Sequence, residues 1–186
     1  MKVESQENLT DLICTETSSG VIQSLVLVTS ASASLRSECK KLCSFLVKKV
    51  FDGATISTQS PAGASEETSE TQTDESSSGD HLLDYESCCR LLETLILVSG
   101  QGKMPKVYSK IAEKVFKAKL LAFAVHPTGN YPLQKLVSNC PDKELFEGWY
   151  SSEFDEHLEE ILAEGNSGVV LSIAQACRRL NAKQVC

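Results

Sequence analysis

A nine-residue phrase returns four times along the chain, and a chain that repeats itself at a fixed period folds as a stack of similar units. The four phrases are Ser18 to Val26, Cys88 to Ile96, Gly129 to Val137 and Ser167 to Gln175. In the first three, a small or polar pair and a variable third residue (Gly20, Arg90 or Tyr131) are followed by two apolar residues, a Gln or Glu, one polar residue and two more apolar residues. The residues in the Gln column are Gln23, Glu93, Gln134 and Ser172, separated by 70, 41 and 38 residues. Removing a 27-residue polar stretch, Gly53 to Gly79, from the first gap leaves about 43. All three intervals then fall near the 35–45 residue period of helical solenoids.

The apolar spacing agrees with that class. Leu35 to Phe51 places Leu35, Cys39, Leu42, Cys43, Leu46, Val47 and Val50 three and four residues apart, with Arg36, Lys40, Lys41, Lys48 and Lys49 on the opposite face. Val107 to Val125 and Phe154 to Leu162 follow the same rule. Strict alternation over a strand length is hard to find, so the expected class is all-α, broken at residues 99–102, 126–129, 141–142 and 164–166. Residues 53–79 hold one large apolar side chain and no aromatic, too little apolar surface to offset the entropy of ordering. The expected organisation is helical repeats over 1–51, a disordered acidic Ser/Thr-rich insertion over 52–80, and further repeats over 81–186.

Charge follows that division. The chain carries 25 Asp and Glu against 18 Lys and Arg, a formal −7, which as an average speaks against nucleic acid. Yet seven of the acidic residues and none of the basic ones lie in 52–80, so the remainder is neutral. Six lysines, Lys103, Lys106, Lys110, Lys114, Lys117 and Lys119, fall within 17 residues. Eight cysteines are too sparse for a disulfide scaffold, and the polar, acidic start is unlike a secretory signal; a reducing intracellular setting is expected. The longest apolar run, Val21 to Val28, is far short of the roughly 20 residues of a membrane span.

The third phrase carries the clearest chemistry. If Asn130-Tyr131-Pro132-Leu133-Gln134 opens a helix, with Pro132 tolerated in the first turn, Asn130 and Gln134 share one face beside Tyr131. A carboxamide offers a donor and an acceptor to a base edge, and a ring stacks on the base face. Here the chain resembles the Pumilio (PUF) repeat RNA-binding proteins, whose repeats carry Gly-Asn-Tyr-x-x-Gln at the start of the RNA-facing helix. The resemblance implies edge contacts from Asn130 and Gln134 and stacking by Tyr131, a uracil combination. It implies a guanine-type set at Cys89, Arg90 and Glu93, an adenine-type pair at Ser19 and Gln23 without a stacking side chain at Gly20, and little reading by Gly168, Val169 and Ser172. Residues 120–127 and 168–180 are most similar to one branch of the family, nucleolar Pumilio-like factors of small ribosomal subunit biogenesis that bind precursor ribosomal RNA. Members hold many more repeats than four, so the chain resembles a fragment or short isoform.

Other constellations carry less. His81, His126 and His157 have no nucleophile motif nearby. Cys39-x-x-x-Cys43 and Cys88-Cys89 lack the paired spacing of a zinc site, and Gly100-Gln101-Gly102-Lys103 lacks the first Gly and the Ser or Thr of a phosphate loop. No enzyme, cofactor, metal or small-molecule substrate is expected. The expected partner is single-stranded or structured RNA, with Lys103, Lys106, Lys110 and Lys114 as phosphate contacts, alongside ribosome-assembly proteins. The rival from another class is a helical repeat scaffold that binds protein through the acidic stretch 142–164, which has nine acidic residues and one Lys; a poorly functional splice fragment is the third reading.

Overall fold

The computed structural model describes residues 4–57 and 81–182. Its helices are α1 (Glu4–Cys14), α2 (Glu16–Ala31), α3 (Arg36–Lys49), α4 (Glu86–Ser99), α5 (Pro105–Ile111), α6 (Leu120–Val125), α7 (Asn130–Ser138), α8 (Lys143–Trp149), α9 (Leu158–Ala163) and α10 (Ser167–Leu180). A 3-10 turn, Leu82–Asp84, precedes α4, and π turns at Ala112–Phe116 and Tyr150–Phe154 extend α5 and α8. There is no strand among the described residues, as an all-α solenoid requires.

The four repeated phrases lie on α2, α4, α7 and α10, and these helices pack in that order as one inner layer. Helix α4 is held between α2 and α7, which is why residues on nearly all its sides are buried, from Ser87 to Ser99. An outer layer is begun by α3, which packs on α2 and on α5, while α6 bridges α7 to α9 and to the Tyr150–Phe154 turn. Three of the four inner helices bury apolar or small residues at intervals of three, one and three. Leu92, Leu95, Ile96 and Ser99 do so on α4, and Leu133, Leu136, Val137 and Cys140 on and just after α7. On α10 the set is Val169, Ser172, Ile173 and Ala176.

That burial pattern shifts the fourth phrase by two residues from the sequence alignment. Val169 corresponds to Leu133, 36 residues earlier, so Gly165-Asn166-Ser167 stands where Gly129-Asn130-Tyr131 stands, and Val170 matches Gln134. The sequence alignment of the fourth phrase is therefore corrected: α10 carries Val170 in the Gln column and Ser172 in an apolar column, so burial and not residue type shows its register.

Two further expectations are corrected. The periodicity over 107–125 predicts one helix, but the chain turns after Phe116 with Ala118 at a left-handed φ of 56°. The new N-terminus at α6 is capped by Glu153, whose carboxylate accepts from Leu120 N at 2.7 Å and Leu121 N at 3.4 Å. Phe154, expected to open a helix to Leu162, instead ends the second π turn, and α9 starts four residues later. The first residues of the expected insertion are also held in place. Ala54 and Ile56 are buried, Ser57 N donates to Asp84 Oδ1 at 3.0 Å, Lys119 Nζ donates to Ala54 O at 3.3 Å, and Asp52 pairs with Lys114 at 3.4 Å. The rest of that segment, 58–80, lies outside the described residues.

Gly100 sets the distance between neighbouring inner helices. A Cβ there would fall 2.5 Å from Asn139 Cβ, and the close approach lets Gln101 N donate to Asn139 O at 3.0 Å. The C-terminal ends of α4 and α7 are thereby held together.

Candidate nucleic-acid interface

The best-formed part of the surface is the turn into α7. The imidazole of His126, nearly buried, accepts at Nδ1 from Gly129 N at 3.0 Å and Thr128 N at 3.3 Å. It thereby satisfies two amides of the turn that leads into the helix. Asn130 is only 4% exposed, and its Nδ2 donates to His126 O and Pro127 O, both at 2.8 Å. Its Oδ1 accepts from Gln134 Nε2 at 2.9 Å. Both amide hydrogens of Asn130 therefore brace the turn, and its oxygen aims the carboxamide of Gln134. Gln134 is half-buried, keeps its Oε1 and one N–H for another partner, and lies against Gly168, where any Cβ would come within 2.8 Å of its amide. Tyr131, one residue into the helix, leaves its ring 56% exposed.

On α4 the three candidates part company. Cys89 is 2% exposed and its thiol donates to Leu83 O at 3.0 Å, so it is a core residue and not a reading edge. Arg90 is exposed and lies against Glu86 of the preceding turn, its Nε donating to Oε1 at 3.0 Å. Glu93 is half-buried, and burial pushes its carboxyl above the ordinary carboxylate range against the downward pull of Lys135 and Arg90. Lys135 of α7 and Glu93 of α4 thus face each other electrostatically across the groove between the two helices.

On α2, Ser19 is fully buried, donating to Ser87 O at 2.8 Å and accepting from Gln23 Nε2 at 3.0 Å. Its expected contact with a base is replaced by a bond to the next inner helix. Gln23 in turn accepts from Thr94 Oγ1 at 3.4 Å. Gly20 is exposed, and Val169, at the matching place in the sequence alignment, is buried. In the corrected register the fourth set is Asn166, Ser167 and Val170, with Asn166 half-buried and Ser167 exposed. Lys135 and this fourth set were missed from sequence. The signal for the latter was present in the phrase Gly165-Asn166-Ser167, which matches the Gly-Asn pair of the third repeat.

The lysines stand elsewhere. Helix α5 and its π turn bury Val107, Tyr108, Ile111, Ala112 and Val115, and Lys103, Lys106, Lys110 and Lys114 are exposed on the outer layer. Ser57 Oγ, His126 Nε2 and Asp84 Oδ1 also come together, at 3.5 Å and 3.2 Å from the imidazole nitrogen. Both contacts fall on the same nitrogen while Nδ1 faces backbone amides, which is not the relay of a hydrolase. Burial pushes the thiols of Cys43 and Cys89 up to about 12, so neither is a nucleophile at neutral pH. Among the described residues no group of three His, Cys, Asp or Glu side chains could hold a metal ion, and no helix is long and apolar enough to cross a membrane.

Comparison with known proteins places these features. Over 95 residues, 51% of the chain, it is 35% identical to nucleolar protein 9 of Mus musculus and of Homo sapiens. Over 98 residues it is 29% identical to Pumilio homolog 23 of Arabidopsis thaliana. The matched part spans 14% of the length of the two nucleolar proteins and 12% of the plant protein. No solved structure matches the chain. The profile of the NOP9-like PUF repeat domain matches residues 1–186, and with inner helices, a phrase recurring at 36 residues and a Gly-Asn-Tyr turn in place, the chain belongs to the NOP9-like PUF repeat family.

Proposed function

We propose that the chain binds RNA through the exposed first turns of its inner helices, and that in the cell this is precursor ribosomal RNA during small-subunit assembly in the nucleolus. The observation that carries the reading is Tyr131: a large aromatic ring, more than half exposed at the start of α7, with a preorganised carboxamide one turn further on. Tyr131 stacks on a base, and Gln134 contacts its edge through Oε1 and the remaining N–H. Asn130 acts behind it, fixing both the turn and the orientation of Gln134. In the neighbouring repeat Arg90 and Glu93 are the residues available to a second base. The names of the related nucleolar proteins support the setting, and the precursor RNA, assembly partners and nucleolar address belong to this proposal.

The test is a titration of the full chain with a single-stranded, uridine-bearing RNA. Loss of one aromatic stack costs about 1–3 kcal/mol, so Tyr131→Ala should weaken binding roughly 5- to 150-fold with the melting temperature unchanged. Undiminished affinity would overturn the reading. A protein-binding scaffold is the second reading, favoured by Val21, Leu25 and Val28, three exposed apolar residues along one face of α2; it expects Tyr131→Ala to leave RNA retention as it was.

A further inference from the structure

We propose a second RNA-contacting surface, on the outer face of α3 and α5, that holds the phosphodiester backbone without regard to base sequence. It rests on the RNA-binding reading but not on Tyr131 or any inner helix.

The surface begins with five lysines. Lys106, Lys110 and Lys114 stand four residues apart on one face of α5 and its π turn, with Lys103 in the turn before α5 and Lys117 directly after the π turn. At about 1.5 Å per residue the helical part of this stripe, Lys106 to Lys114, is roughly 12 Å long. All five are exposed. Helix α3 lies beside α5 and runs in the same direction: Arg36 and Lys103 line one cleft where the two helices begin, and Asp52 pairs with Lys114 where they end. Helix α3 therefore adds exposed Arg36 and Lys40 along the stripe.

Little opposes this charge. Among the described residues, Lys114 pairs with Asp52 and Lys41 of α3 with Glu38, whereas Arg36, Lys40, Lys103, Lys106, Lys110 and Lys117 form no ion pair. The exposed residues between the lysines of α5 are Pro105, Ser109 and Glu113, with no aromatic or aliphatic anchor, and the exposed Phe45 of α3 lies with Lys41 and Lys48, off the side that carries Arg36 and Lys40. A protein interface depends on such anchors, and insertion into a lipid surface needs apolar side chains facing it. A phosphodiester strand needs neither. Its charges recur along a line, and neighbouring lysines on one helix face stand about 5–6 Å apart at Cβ, close enough for successive phosphates to meet successive ammonium groups. Lysine is a compact point charge that neutralises a phosphate without a fixed approach angle, so the stripe carries affinity and not base preference.

The experiment measures affinity of the full chain for two 20-nucleotide single strands, one uridine-rich and one adenine-rich, between 50 and 200 mM salt. The variants are Lys106→Gln/Lys110→Gln/Lys117→Gln and, separately, Tyr131→Ala, each checked for an unchanged thermal melt. Three lost phosphate contacts should reduce the slope of log affinity against log salt by about 2. They should also weaken both RNAs alike, at least 10-fold at 50 mM salt. Tyr131→Ala should leave the slope unchanged. A triple variant with wild-type affinity and slope, or one that loses only one of the two RNAs, overturns the outer surface. An ineffective Tyr131→Ala alongside an effective triple variant removes the inner reading face and leaves the outer surface standing. Absence of binding by the unaltered chain at 50 mM salt overturns both.

Discussion

Asn130 and Glu93 illustrate how far a side chain's type falls short of giving its job. The Gly-Asn-Tyr-x-x-Gln pattern locates the turn, the helix start and the exposed ring from sequence. What it leaves out is that both Asn130 amide hydrogens go to the carbonyls of His126 and Pro127, because that depends on how the preceding turn is folded. Ser19 and Cys89 were misplaced for the same kind of reason: each is small and polar enough to stand at a reading edge, and each is drawn inward by a carbonyl of a neighbouring segment. Glu93 gives a pH-dependent test. Its folded value is raised, chiefly by burial, so its ionised form opposes folding. That penalty is absent where the carboxyl is protonated in both states and complete above the folded value. Glu93→Gln should therefore raise Tm at pH 7 by up to a few degrees, and the gain should vanish as pH falls toward about 4. A gain of equal size at both pH values would show that desolvation of the carboxylate is not its source.

Elements were legible where their own residues decide them and illegible where a distant group does. α3 follows from apolar spacing, α4 and α7 from the repeated phrase, and the breaks near residues 100, 127, 141 and 165 from Gly, Pro and Asn. The interruption between α5 and α6 does not, since its cap is a carboxylate of Glu153, 33 residues downstream. The register of α10 was placed two residues too far along from sequence, and the burial of Val169, Ser172 and Ile173 corrects it. Packing between elements turns on Gly100, where a methyl group would meet Asn139 at 2.5 Å. Both atoms belong to helix-end positions that cannot swing aside, so Gly100→Ala should destabilise the chain by about 1–3 kcal/mol, read as a lower midpoint in urea with little change in slope. A midpoint equal to that of the unaltered chain would mean that the α4–α7 contact is looser than the structure has it.

At the scale of the whole molecule, the repeat period was the decisive feature: it gave the solenoid and the identity of the inner helices before any contact was known. The formal charge of −7 was the least informative, because it averages an acidic segment with two basic outer helices. The molecule instead presents two unlike faces. The inner one offers a ring and a carboxamide held in place, with few charges; the outer one offers a line of lysines with nothing to stack on. Sequence showed both sets of residues but not that they lie on different layers, since that follows only from the packing of α7 among the inner helices and the burial of Val107, Tyr108 and Ile111 beneath the lysines. Photocrosslinking of the full chain to RNA carrying 4-thiouridine, followed by mass spectrometry of the adducted peptides, addresses the inner face directly. The expected result is an adduct at Tyr131 that disappears in the presence of excess unlabelled uridine-rich RNA. Adducts confined to residues 142–164, or none on the inner helices, would contradict RNA binding by the Gly-Asn-Tyr turn.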